Sequence, residues 1–345
     1  MTRLVLSRHL PDHAIDRITA AVPGIEIVAD PRAVLPASGR VGLLYREEDR
    51  TEPTEVAEEE LVERWSTLLR DADVLFDVHP LALELIGAAP RLRFIQAIAA
   101  GAGEYFAHAS LRESNVSVTT ARGVHDDALA DFALAGILAH AKRFHTLRVQ
   151  QTAHDWTAIP ARRLFDSTLV VVGFGSIGRA IATRARAFGI RVTGVRTRPG
   201  TDDLAERIYG VDELDSALGQ ADFIANTLPA TDSTVRLFNS SRFAAAKPGS
   251  FLVNVGRGTT IDEAAMIDAL KSGQLGGAAI DVATIEPLPS DDPLWDAPNL
   301  LISPHCASLI PGAALDAIVD ILIANLQLHE RGEPLINIAS RPAAA

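Results

Sequence analysis

The sequence predicts an α/β protein built on parallel sheets. Residues 168–198 read as strand, glycine-rich turn, helix and strand, and elsewhere short apolar runs of β-branched type alternate with segments of helical periodicity. Three polar residues, Arg257, Glu286 and His305, also each fall just past the end of a predicted strand, where open α/β sheets bind ligands.

In chain order, Arg3–Leu6 predicts a strand, Asp12–Ala21 an amphipathic helix and Ile25–Val28 a second strand. Residues 46–60 are strongly acidic and read as a solvated loop or helix start. Helical pattern resumes over Leu61–Leu69, then Val74–Val78 is a strand, Leu81–Ile86 a short helix and Leu92–Ile98 a strand. The loop Ala100, Gly101, Ala102 and Gly103 follows and leads into a helical turn. It is either a plain strand-to-helix connection or one whose amides face a carboxylate. Val116–Val118 is a short strand, and one long helix is expected from about Asp126 to Thr152, with Leu129, Phe132, Ala133, Gly136, Ile137, His140 and Phe144 on its apolar face. His125, His140, His145 and His154 fall on or near it at no spacing that makes a metal site.

Leu169–Val172 is too short for a helix and reads as a buried strand. Gly173, Gly175, Ser176, Ile177 and Gly178 then open a helix with Ile177, Ile181, Ala185 and Phe188 at helical spacing, and Arg191–Val195 supplies the next strand. In this GxGxxG pattern the first glycine permits the tight turn and the second lets a pyrophosphate approach the backbone. The third lets helix and strand pack closely, while free helix-start amides attract the anion. Asp222–Asn226 and Phe251–Val255 are further strands, Asp262–Leu270 is a helix capped by Asp262 and ended by Gly273, and Ala278–Val282 and Leu300–Ser303 complete the strand set. Pro311–Leu328 reads as a final helix, and the alanine-rich end at 343–345 as disordered.

The chain has 345 residues and 48% hydrophobic composition, enough for two ordinary domains. A net charge of −12 argues against non-specific nucleic-acid binding. No apolar run spans a membrane and the start lacks a signal-peptide pattern, so a soluble cytoplasmic protein is expected. The single cysteine, Cys306, suits a reducing compartment and is read as a packing residue. Taken singly, Arg257, Glu286 and His305 are ordinary loop residues. Together they make a reducing site: a guanidinium grips a carboxylate, an imidazole passes a proton to a carbonyl oxygen as hydride reaches carbon, and a carboxylate holds that imidazole.

The stretches VVVGFGSIGRAIA, NTLPATDSTVRLFN, FLVNVGRGTTIDEAAMIDAL, GAAIDVATIEPLPSDDPLWDAPNLLISPHCAS and GEPLINI together resemble the D-isomer-specific 2-hydroxyacid dehydrogenases. The likeness is to the branch with glyoxylate/hydroxypyruvate reductases and phosphoglycerate dehydrogenases. It implies two Rossmann-like/flavodoxin-like doubly wound parallel-sheet domains separated by an active-site cleft. Residues 1–122 with 309–345 would bind substrate, residues 123–308 the dinucleotide, and crossings near Gly123 and Ser308 would act as hinges. It further implies Arg257 as the substrate arginine, Glu286 as partner carboxylate and His305 as acid–base. Asp281 would lie by the nicotinamide carboxamide, Leu228, Pro229, Asn254, Val255 and Gly256 would line the cofactor, and the amides of Ala100–Gly103 would hold the substrate carboxylate. The family commonly has an aspartate after that loop, where this chain has Glu104. A homodimer is implied, and the activity is NAD(P)-dependent reduction of a small 2-oxo acid to the D-2-hydroxy acid. Phosphoglycerate oxidation or a non-catalytic dinucleotide sensor are the alternatives.

Cofactor choice is read separately. NAD-selective folds place an acidic residue near the end of the second strand, roughly 20 residues beyond the glycines. Arg196, Thr197 and Arg198 stand there instead. They are either solvated turn residues or readers of a 2′-phosphate, and the missing carboxylate predicts NADP(H) in preference to NAD(H), with NAD(H) still usable.

Overall fold

The computed structural model describes residues 1–38, 44–52 and 55–341, except the side chains of Ala88 and Glu104. The chain divides into two compact units, Met1–His125 with Leu309–Ala345, and Asp126–Ser308.

In the first unit, β1 (Arg3–Leu6), β2 (Glu26–Val28), β3 (Val74–Phe76), β4 (Phe94–Gln96) and β5 (Ser117–Thr119) form one parallel sheet in the order β2-β1-β3-β4-β5. Side chains alternate across it with the period of two that a strand imposes. Val5, Leu75, Ile95 and Val118 face a layer holding Trp65, Leu68 and Leu69 of the helix Glu58–Arg70. Leu4, Leu6, Val74, Phe76 and Phe94 face the other layer, with Ile318, Val319 and Leu322 of the helix Ala313–Glu330. Burial on both faces explains why these strands read as continuous apolar runs. The acidic stretch contains a single turn at Glu47–Asp49 and the start of the helix Glu58–Arg70, whose first turn holds Glu58, Glu59 and Glu60. That end of a helix favours negative charge. Residues 53, 54 and 343–345, for which a loop and disorder were expected, lie outside the described residues.

The second unit has an eight-stranded sheet: β6 (Thr168–Val172), β7 (Arg191–Val195), β8 (Gly200–Asp202), β9 (Ala205–Tyr209), β10 (Phe223–Asn226), β11 (Ser250–Asn254), β12 (Leu275–Ile280) and β13 (Leu300–Ile302). Their order is β13-β12-β11-β10-β6-β7-β9-β8, parallel except for β8. The order reverses at β6, so the crevice between β6 and β10 is the topological switch point where such sheets bind dinucleotides. Leu169, Val171, Phe223, Val253 and Ala279 pack under the helices Asp126–Ala141 and Ser176–Ala187. Gly136 makes the first contact close, since a Cβ there would stand 3.1 Å from Ala279 Cβ. Val170, Val172, Ile224, Leu252 and Ile280 face the opposite layer with Met266 and Leu270. Each such fully buried aliphatic side chain contributes about 1.5–3 kcal/mol.

Several expectations are corrected. The helix expected over 126–152 is broken: it ends at Ala141, Arg143 takes φ +60°, and a second helix runs Phe144–Thr152. A left-handed residue cannot continue a right-handed helix. Phe144 is 57% exposed rather than part of a buried face, and Phe188 lies exposed just past the end of its helix. The hairpin β8–β9 went unread because its strands are short and polar, without an alternating apolar pattern.

Candidate active site

The glycine turn is tied to both neighbouring strands. Gly173 and Phe174 donate their amides to Val195 O at the end of β7, and Thr227 Oγ1, just past β10, donates to Gly173 O at 2.5 Å. Gly173 takes φ +97°, which favours glycine. A Cβ at Gly178 would stand 2.6 Å from Gly173 O, so the third glycine lets the helix meet the turn. At Gly175 a Cβ would meet nothing within 4 Å, and no side chain caps the helix Ser176–Ala187 that begins there. Open space before uncapped amides at Ser176, Ile177 and Gly178 fits a pyrophosphate.

Arg196 follows β7 beside this turn, and its Nε donates to Arg198 O at 2.8 Å. Thr197 and Arg198 are exposed. No carboxylate stands among these three residues.

Past β10 and β11 lies a buried amide network that sequence reasoning missed in part. Asn226 and Asn254 are register partners at the two strand ends. Asn226 Nδ2 donates to Asn254 Oδ1 at 3.0 Å and to Thr260 Oγ1 at 2.7 Å, and Thr260 Oγ1 donates to Arg257 O at 2.6 Å. Asn254 Oδ1 also accepts from Gly256 N, and Asn226 Oδ1 from Leu228 N. The network therefore sets the loops carrying Leu228, Pro229, Val255, Gly256 and Arg257. An asparagine ending each of two neighbouring strands was the available signal.

Glu286 and His305 meet. His305 Nδ1 lies 2.6 Å from Glu286 Oε2, and Glu286 Oε1 accepts from Ala283 N at 3.1 Å. An ionised carboxylate only accepts, so Nδ1 carries the hydrogen and Nε2 is the ring atom left to exchange a proton. His305 adopts φ +54° in the turn after β13. Asp281, 1% exposed after β12, holds that turn: its Oδ1 accepts from Ser303 Oγ at 2.6 Å, Cys306 N at 2.9 Å and Ala307 N at 3.0 Å. Ser303 was not singled out in the sequence. Cys306, read as a packing residue, is exposed, with Sγ 3.3 Å from Ser303 Oγ.

Arg257 is exposed and its Nη1 donates to Gly256 O at 2.9 Å. Its loop abuts the one that carries Glu286. A Cβ at Gly258 would stand 2.0 Å from the carbonyl carbon of Ala283, so the loops after β11 and β12 touch backbone to backbone. His140 is distant in role: burial, then the charges of Arg143 and Arg162, push its imidazole down to about 4, and it stacks on Phe251 at 4.4 Å as a neutral core residue.

In the first unit, Ala100–Gly103 follows β4, and the short helix Gly103–Phe106 begins without a side-chain cap. Its Tyr105 OH donates to Asp77 Oδ1 at 3.0 Å.

Comparison with known proteins identifies the family. Residues 134–307 match the family described as D-isomer specific 2-hydroxyacid dehydrogenase, NAD binding domain. A glyoxylate/hydroxypyruvate reductase B of Pectobacterium carotovorum is 34% identical over 248 residues, covering 69% of this chain and 77% of that one. The crystal structure of a D-isomer specific 2-hydroxyacid dehydrogenase family protein from Aeromonas salmonicida superposes with a TM-score of 0.80 at 28% identity, covering 99% of each chain. One from Xanthobacter autotrophicus, in complex with NADPH and MES, gives 0.79 at 25% identity over 99% of this chain and 98% of that one.

Proposed function

The chain belongs to the D-isomer specific 2-hydroxyacid dehydrogenases, a family of oxidoreductases, and from that premise we propose that it reduces a small 2-oxo acid of the glyoxylate or hydroxypyruvate type to the D-2-hydroxy acid with NADPH. The observation that carries this reading is the 2.6 Å contact of His305 with Glu286, in loops at the same edge of the sheet as the glycine turn.

A reduced nicotinamide, when bound, would supply the hydride for the carbonyl carbon. The protein's residues do the rest. Arg257 pairs with the substrate carboxylate and polarises the carbonyl. His305 Nε2 gives its proton to the carbonyl oxygen, while Glu286 orients the ring and stabilises the imidazolium. The glycine turn, Leu228, Pro229, Val255, Gly256 and Asp281 form the cofactor's surroundings in this reading. Arg196 and Arg198 take the 2′-phosphate, supported by the absence of a carboxylate at the end of β7. The relative from X. autotrophicus was crystallised with NADPH, which fits the same preference.

Two further parts of the proposal rest on surface chemistry. Phe144, Leu147, Val149 and Trp156 are exposed on the segment past Arg143, with Trp156 fully so, and a second copy of the chain would cover them as a homodimer. Among the described residues no helix is long and apolar enough to cross a membrane, and the acidic charge disfavours nucleic acid, in keeping with a cytoplasmic place.

The test is consumption of NADPH, followed by absorbance, across a panel of 2-oxo acids. Glyoxylate or hydroxypyruvate should be turned over. NADPH binding without turnover of any 2-oxo acid would favour a dinucleotide sensor instead.

A further inference from the structure

The arm of the second unit that carries Arg196 is held by charge more than by burial. It leaves the sheet at the end of β7, where Arg196 N donates to Tyr209 O at 3.2 Å. It returns as β8, the edge strand, which pairs Gly200 with Ile208 and Asp202 with Ala205. No residue from 196 to 207 is buried, so apolar packing fixes the arm only weakly. Within it Arg196 Nε donates to Arg198 O at 2.8 Å, and a Cβ at Gly200 would stand 2.8 Å from Arg196 Nη2. The guanidinium thus lies against the first residue of β8, and its position follows that strand. Arg179 pins the strand's other end: its Nη1 donates to Asp202 Oδ2 and its Nη2 to Asp203 Oδ1 at 3.2 Å. The Asp202 side chain is 7% exposed and also accepts from Leu204 N at 3.1 Å. Arg186, seven residues on and so on the same helix face, donates from Nη1 to Asp203 O. Arg179 directly follows Gly178, the third glycine of the turn, and its own amide is bonded within the helix to Gly175 O at 2.9 Å. The helix whose first amides suit a pyrophosphate therefore also grips the arm.

We propose that Arg179 is a positioning residue for cofactor choice: by fixing Asp202 and Asp203 it holds Arg196 in place for the 2′-phosphate of NADPH. The inference rests on the reading under Proposed function and traces its NADPH preference to a residue outside the phosphate-reading arm. Nη1 and Nη2 of Arg179 already face two carboxylates that cancel its charge, so it holds the arm and does not itself read phosphate. Ion pairs this open to water add little to global stability, and the effect of this one is local. Without it the edge strand is free to leave the sheet, and binding carries the cost of ordering Arg196 and its loop. That cost falls on NADPH. NADH lacks the 2′-phosphate, and its pyrophosphate still meets the glycine turn.

The experiment measures dissociation constants on the full chain by calorimetry, for NADPH and NADH and for adenosine 2′,5′-bisphosphate and AMP, which report the adenosine end without the nicotinamide. In Arg179→Gln the constants for NADPH and the bisphosphate should rise about 5-fold or more, while those for NADH and AMP stay close to wild type. Arg179→Lys, which keeps the charge and a donor for Asp202, should recover part of the loss. Asp202→Ala separates anchoring from charge. A lost anchor weakens NADPH binding, whereas removal of a carboxylate that acted through charge alone strengthens it. An unchanged NADPH-to-NADH ratio in folded Arg179→Gln overturns the inference, as does an equal loss for both cofactors or tighter NADPH binding in Asp202→Ala. If Arg179→Gln does not fold, an unmoved ratio in Asp202→Ala overturns it alone. Wild-type protein that binds NADH as tightly as NADPH removes the reading of Arg196 and this inference with it. A wild-type preference for NADPH that persists unchanged in Arg179→Gln removes only this inference.

Discussion

His305 Nδ1 and Glu286 Oε2 stand 2.6 Å apart across 19 residues of chain, joining the turn after β13 to the loop after β12. The contact determines which ring nitrogen can exchange a proton. It also gives the carboxylate a task beyond charge, since a ring held at Nδ1 presents Nε2 in one direction.

If His305 donates the proton, reduction requires its protonated form, so the reductive rate should fall as pH rises and the oxidative rate should gain. His305→Asn should lower reductive turnover by about 100-fold or more. Glu286→Gln should lower it less, because the ring is still reached by a hydrogen-bonding partner. Steady-state rates over a pH series test this, and full turnover in folded His305→Asn would remove the assignment.

Arg257→Lys retains the charge but loses the two-pronged guanidinium, so both KM for the 2-oxo acid and kcat should worsen, by about 10-fold or more in kcat/KM. The KM for NADPH should stay close to that of the wild type. Unaltered kinetics toward the acid would show that Arg257 does not touch it.

Arg196→Asp places a carboxylate where the adenosine ribose is expected and removes a partner of the 2′-phosphate. NADPH binding should weaken and the preference should move toward NADH, read as the ratio of kcat/KM values. Equal or better efficiency with NADH in the wild type would refute a phosphate-reading role.

Trp156→Ser with Leu147→Ser should shift the oligomeric state toward monomer if the exposed segment is covered by a second copy. Sedimentation or light scattering at several concentrations decides it. A wild-type chain that is monomeric throughout would dismiss the dimer.

Asp222 offers a stability test. Burial opposes its ionisation, but Lys247 Nζ at 2.5 Å, the amide of Thr168 at 2.9 Å and the guanidinium of Arg162 hold its carboxyl below the usual range. A depressed folded value stabilises the protein above the unfolded carboxyl value, about 3.9, and that stability disappears as pH falls through the lower folded value. Asp222→Asn should therefore cost about 1–3 kcal/mol near neutral pH, and the gap to wild type should close in acid. Urea unfolding at both pH values measures it, and a gap that persists in acid would contradict the charge origin.

What the sequence alone determined was local. The glycine turn needs only the order of residues 173–178, and the helix capped by Asp262 and ended by Gly273 appears as expected, with Asp262 accepting from Ala265 N at 3.1 Å and Gly273 at φ +77°. Caps and turns act over three or four residues, so a linear reading finds them. Buried parallel strands were legible too, because burial on both faces leaves an unbroken apolar run in the sequence, though their ends shifted by one to three residues. Arg257, Glu286 and His305 could be read as strand-end residues, with roles proposed from their chemistry and from the family likeness. Only the tertiary structure decided which of them touch. It brings His305 to Glu286, directs Arg257 onto Gly256 O, and ties Asn226 to Asn254 and Thr260. It also broke the long helix at Arg143, where φ is positive although no glycine or proline marks the spot. The pairing of Arg8 with Asp77 spans 69 residues, and no local preference encodes it. Such contacts depend on strand order, and strand order follows from how apolar faces pack across the whole chain, which no single segment contains.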